Sequence, residues 1–71
     1  MSGSVIKRRP TTRWMVKEAL VFSGRFRSAA ALSEQLDEPL RAVRRALGEL
    51  LEAGEVVRFC YGRRVLYASA G

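Results

Sequence analysis

The 71-residue chain has no histidine, one cysteine, two prolines, one tryptophan, and no apolar run near the roughly 20 residues a bilayer span needs. Each scarcity excludes something. Without histidine there is no imidazole base and no zinc site built on Cys and His. The lone Cys60 leaves no internal disulfide and suits a reducing cytoplasm. The opening MSGSVIKRR has no apolar stretch behind its charges, so a secretory signal is not expected. A glycine-rich phosphate loop and an activated-serine motif are also missing. Glu34, Asp37 and Glu38 cluster, but at a helix–turn boundary suited to capping. The expectation is a non-enzyme with no metal, no cofactor, no membrane segment and no small-molecule substrate. The length allows one domain with a thin core.

What the chain has is positive charge, unevenly placed. The net charge is +6, from 13 Lys and Arg against 7 Asp and Glu. Residues 1–27 carry seven bases and one acid, residues 28–40 three acids and no base, and residues 41–71 six arginines and three glutamates. An acidic middle thus separates two basic flanks, and such a domain attracts polyanions, nucleic acid first among them. Eleven of the bases are arginine, whose fork suits phosphate and guanine; biased codon usage would produce the same excess.

Residues 1–10 read as a flexible basic arm, residues 11–69 as the folded domain and residues 70–71 as a tail. Pro10 disfavours helix at Arg9, and Thr11 or Thr12 can cap a first helix to about Phe22. Met15, Ala19 and Phe22, flanked by Val16 and Leu20, form its inward stripe, with Trp14 covering the core from its edge. Ser23-Gly24 ends it. Arg25-Phe26-Arg27 alternates as a very short strand with Phe26 turned in. Ser28 caps a second helix, Ala29 to Leu36, with Ala29, Leu32 and Leu36 inward. Pro39 belongs to the first turn of a third helix, which Asp37 or Glu38 would cap.

The third helix runs to about Glu52. At 100° per residue, Leu40, Val43, Leu47, Leu50 and Leu51 lie within about 80° of Val43 and make the buried face. Arg41, Arg44 and Arg45 share the opposite arc with Gly48 and Glu52. Ala42 and Ala46 make a small-residue flank. After Gly54, Glu55 to Tyr61 is rich in β-branched and aromatic residues, Val65-Leu66-Tyr67 is the returning strand, and a tight turn at Gly62 joins them. Val56 is expected to pack on the third helix.

Ser28 to Ser69 resembles a winged helix-turn-helix domain of small bacterial and phage regulators. The resemblance rests on Leu32 and Leu36, on Val43-Arg44-Arg45-Ala46-Leu47 with Leu50, on Ala53-Gly54-Glu55-Val56-Val57-Arg58, and on Arg63-Arg64 with Tyr67. It covers about three fifths of the chain, and the first helix extends it. It implies an α+β fold, mainly helical, with three helices and a C-terminal β-hairpin wing. It also implies double-stranded DNA binding in transcription regulation or another DNA-associated role, by a cytoplasmic protein. Pro39-Leu40 departs from the Ser or Thr that often opens such a third helix, and the groove face carries arginine where Asn, Gln or Ser is common.

Under this reading Arg41, Arg44 and Arg45 enter the major groove, where arginine can donate two bonds to guanine. The alternative is a solvated face partly neutralised by Glu49 and Glu52; the like-charged Arg41–Arg45 pair is then mildly unfavourable. Arg63 and Arg64 at the wing tip would meet phosphate, or only discourage edge-to-edge strand pairing. Lys7, Arg8 and Arg9 would form a minor-groove arm or a phosphate attractor, or remain a solvated tail. Trp14 and Phe26 are read as core, and Tyr61 as a base-stacking or sheet-covering ring. A rival class is a protein-interaction module or homodimer, because Val57, Phe59, Tyr61, Leu66 and Tyr67 exceed what one thin core can bury.

Overall fold

A computed structural model describes residues 11–71, in the order α1 (Thr12–Ser23), β1 (Arg27–Ser28), α2 (Ala29–Leu36), α3 (Leu40–Glu52), β2 (Val56–Tyr61) and β3 (Arg64–Ser69). The expected arm falls outside the described residues. Among those described, no helix is long and apolar enough to cross a membrane.

Local chemistry sets the helix ends. Thr11 caps α1, its hydroxyl accepting from the Trp14 N–H at 3.1 Å. Gly24 closes it at φ 61°, a conformation that costs glycine little. Ser28 caps α2 in the same way, accepting from the Ala31 N–H at 3.1 Å. Asp37 ends α2 in the left-handed region at φ 54°, where a short polar side chain is tolerated. The N–H groups of Asp37 and Glu38 return to the carbonyls of Glu34 and Ser33, which satisfies two free ends of the helix.

The start of α3 corrects the expected cap. Pro39 is itself the N-cap; its carbonyl accepts from the Ala42 and Val43 N–H groups at 3.0 and 3.1 Å, and no side chain caps the helix. Asp37 is occupied in ending α2. Glu38 instead ties the turn to α1: Thr12 Oγ1 donates to Glu38 Oε1 at 2.9 Å, and Ser33 Oγ donates to the Glu38 carbonyl. The three residues between α2 and α3 are thereby pinned from two helices.

Nine residues form the core: Val16, Ala19 and Leu20 of α1, Leu32 of α2, Val43, Ala46, Leu47 and Leu50 of α3, and Val56 of β2. Ala29, Leu36, Leu51 and Tyr67 pack around them. Burial of each full leucine or valine contributes about 1.5–3 kcal/mol before entropy is subtracted. The buried face of α3 and the inward Val56 agree with the periodicity. Phe22 does not: it is 83% exposed, because the buried stripe of α1 is only Val16, Ala19 and Leu20. Trp14 and Phe26, expected inside, are about half exposed, and Leu40 lies on the surface.

The sheet is antiparallel, ordered β1-β3-β2. The first strand is Arg27–Ser28 and not the expected Arg25-Phe26-Arg27, which it overlaps only at Arg27; it pairs Arg27 with Tyr67 and Ser28 with Leu66. The hairpin pairs Tyr61 with Arg64, leaving Gly62 and Arg63 as its two-residue loop. Gly62 has φ 60° and Arg63 is not in the left-handed region, as in the hairpin turns that place glycine first. Three helices carrying a three-stranded sheet with a long hairpin make the winged-helix architecture.

Candidate nucleic-acid interface

The amphipathic phase of α3 decides where its arginines stand. Burying Val43, Ala46, Leu47 and Leu50 turns Arg41, Arg44 and Arg45 to solvent, and all three are exposed. Arg45 Nε lies 3.8 Å from Glu49 Oε2, and its side chain remains 85% exposed. An exposed i,i+4 pair of this kind contributes about 0.3–0.5 kcal/mol and leaves the guanidinium free to exchange partners. Among the described residues, Arg41 and Arg44 form no salt bridge. Gly48 lies on the same arc with open space where a Cβ would stand.

Arg41 and Arg45 also line an open groove of about 460 Å³ with Arg13, Thr11, Thr12, Ala42, Ala46 and Glu49. The small Ala42 and Ala46 let the start of α1 approach α3 closely enough to form it. Arg13 was not singled out by the sequence, where nothing local ties it to a helix 30 residues away. Thr11, the first described residue, stands in the wall of this groove.

Not every base near this surface is free. Glu55 accepts from Lys17 Nζ through Oε1, and its Oε2 lies 3.3 Å from Arg13 Nη2. The hydrogen bond from Lys17 is the main reason its carboxyl is held below the usual value of 4.5; Arg13 adds to the effect, and desolvation opposes it. Arg27 Nη2 donates to Gln35 Oε1 at 2.9 Å. These contacts tie α1 to the α3–β2 corner and β1 to α2.

Arg63 and Arg64 are exposed at the hairpin tip, and α3 is joined to that hairpin by Ala53, Gly54 and Glu55 alone. Backbone hydrogen bonds hold the connection: the Gly54 and Glu55 N–H groups bond to Leu51 and Leu50 carbonyls at 3.0 and 2.9 Å, and the Ala70 N–H bonds to the Glu55 carbonyl at 3.0 Å. Lys7, Arg8 and Arg9 lie outside the described residues.

The apolar residues assigned to a partner divide between two faces. Side chains alternate along β2, so Val57, Phe59 and Tyr61 share the face opposite the buried Val56. Cross-strand pairing puts Leu66, opposite Phe59, on that outer face. Tyr67 pairs with Arg58 and packs against the core, so it does not belong to the outer set. Phe26 does: its ring centroid is 5.5 Å from that of Phe59, which in turn is 6.3 Å from that of Tyr61. The period-two pattern of Val57, Phe59 and Tyr61 was visible in the sequence. The contribution of Phe26 was not, because it depends on the register of β1.

No family model and no curated protein matches the chain. Solved structures do. The homodimeric winged helix-turn-helix DNA-binding domain of Mb0332 from Mycobacterium bovis, a possible ArsR-family transcriptional regulator, superposes at TM-score 0.72 and 23% identity, over 84% of this chain and 54% of that one. A structure of HOP2, concerned with its DNA recognition and protein interaction domains, gives 0.71 and 22%, over 82% and 97%. ZitR from Lactococcus lactis in complex with DNA gives 0.66 and 19%, over 97% and 49%. The chain therefore has the winged helix-turn-helix fold and spans about half the length of the Mycobacterium bovis and Lactococcus lactis chains.

Proposed function

We propose that this domain binds double-stranded DNA, in transcription regulation or another DNA-associated role, with α3 in the major groove and the wing on the phosphate backbone. The observation that carries the reading is the exposed arc of Arg41, Arg44 and Arg45, opposite the buried stripe of a well-anchored helix. A helix about 10–12 Å across fits a groove about 12 Å wide, and arginine reads guanine O6 and N7 with two bonds. Gly48 would let the duplex approach the helix closely. The groove walled by Arg13, Arg41 and Arg45 suits a backbone phosphate, and Arg63 and Arg64 suit another. The basic arm joins the domain at Thr11, beside that groove, and would add phosphate attraction. The fold shared with a DNA-bound ZitR supports the reading. Exposed Trp14, Val21 and Phe22 on α1 would seat a second copy, in keeping with the homodimeric neighbour.

Replacing Arg41, Arg44 and Arg45 together by Ala should abolish sequence-specific duplex binding and leave the fold intact, because none of them touches the core. Gel-shift titration against duplexes selected from random sequence measures the first, and circular dichroism the second. Unchanged specific affinity in a folded variant would remove α3 from the groove. The rival reading, a protein-interaction module, draws on the exposed Val57, Phe59 and Tyr61. It differs in salt response, since apolar association does not weaken as phosphate contacts do.

A further inference from the structure

The outer face of the sheet is chemically unlike the α3 surface. Phe26, Phe59 and Tyr61 are 47%, 48% and 69% exposed and neighbour one another in that order, Phe26 tilted 49° to Phe59 and Phe59 21° from parallel with Tyr61. Rings this exposed on a small domain are open to a ligand. The charge beside them is of one sign. Residues 56–71 hold no acid; Arg63 lies at the hairpin tip next to Arg64 and Arg25 precedes Phe26, while Arg58, paired with Tyr67, is on the other side of the sheet. Arg64 stands directly across from Tyr61, so the last ring of the row has a guanidinium on its own face. Among the described residues, Arg25, Arg63 and Arg64 form no salt bridge.

We infer that this face binds unpaired nucleic-acid bases, with the three rings stacking bases and the flanking arginines holding the phosphates of a single strand. A row of π-faces bordered by cations is the chemistry of single-strand platforms, where each stacked base strengthens binding about fivefold or more. The spacing favours a single strand over a duplex. Neighbouring rings are 5.5 and 6.3 Å apart, whereas bases in a duplex strand rise by roughly 3.4 Å. A strand laid on the row has its bases drawn apart, one to a ring, which paired bases cannot do. Charge also selects the occupant: a second copy would bring the same acid-free, arginine-bearing hairpin against this one, and a polyanion would not.

The test uses the full chain and two fluorescent oligonucleotides of equal length, one of thymidine and one of abasic residues. They carry the same phosphates and differ only in bases, so fluorescence anisotropy separates stacking from charge. The expected result is at least tenfold tighter binding of the thymidine strand. The Phe59→Leu, Tyr61→Leu double variant, which keeps apolar bulk and removes the π-faces, should lose that preference and keep the melting temperature and duplex affinity of the parent. The Arg41→Ala, Arg44→Ala, Arg45→Ala variant should retain the preference, so failure of the duplex reading and failure of this one are distinguishable. Equal affinity for the two strands overturns the inference, as does a leucine variant that keeps the preference. In either case the face is left to an apolar protein surface, which concentration-dependent sedimentation of parent and leucine variant would detect.

Discussion

The salt dependence of duplex binding tests the division of labour between α3 and the wing. If Arg41, Arg44, Arg45, Arg63 and Arg64 each neutralise one phosphate or its equivalent, five counterions are displaced, and the slope of log K against log salt is about −4.5. Raising salt from about 50 to 200 mM, a change of about 0.6 log unit, then weakens binding about 500-fold. Replacing Arg63 and Arg64 by Ala removes two contacts, flattens the slope to about −2.7 and reduces that loss to about 40-fold. Because phosphate contacts carry no sequence information, the ratio between selected and random duplexes should stay at the parental value. Both tip arginines are exposed and outside the core, so folding should not confound the result. The assay is anisotropy titration of selected and random duplexes over four salt concentrations. A variant with the parental slope and affinity would remove the wing from the interface. A variant that loses the ratio but keeps the slope would make Arg63 or Arg64 a base reader.

The remaining predictions concern the fold. Leu47→Ala should cost about 2–5 kcal/mol, since Leu47 is fully buried at the centre of the core. At about 4–8 °C per kcal/mol for a domain of this size, that is a drop of about 8–40 °C in Tm, and a shift of a degree or two would contradict the packing of α3. Glu55→Gln should lower the Tm at neutral pH by releasing Lys17 and Arg13. Since the folded carboxyl titrates below 4.5, its contribution is present above that pH and fades as pH falls through the folded value. Melting curves of parent and variant should therefore converge in acid; a gap that persists below the folded value would show that the contacts do not depend on the charge.

Much of this molecule was legible in the sequence because its signals are local. Thr11 and Ser28 cap helices through bonds to residues three positions on, and the period of α3 separates Val43, Leu47 and Leu50 from the arginine arc within a single helix. Gly62 marks the hairpin for a similar reason, since a two-residue turn needs a positive φ. These features require no knowledge of what packs against them.

Tertiary structure decided the rest, where identical local patterns have different outcomes. Phe22 has the spacing of a core residue, but the layers over α1 cover only Val16, Ala19 and Leu20, so it is left outside. Glu38 sits where a cap belongs, yet it faces Thr12, 26 residues earlier. Arg13 comes to the α3 groove only because α1 packs against α3. Tyr67 and Leu66 are neighbours of similar apolar character; strand pairing sends one to the core and the other, with Phe26, Phe59 and Tyr61, to the outer face. By itself the sequence determined the elements and the cationic face of α3, because propensity, capping and periodicity act over a few residues. Which apolar side chains reach solvent, and which charges find partners, depended on register and packing between segments far apart in the chain.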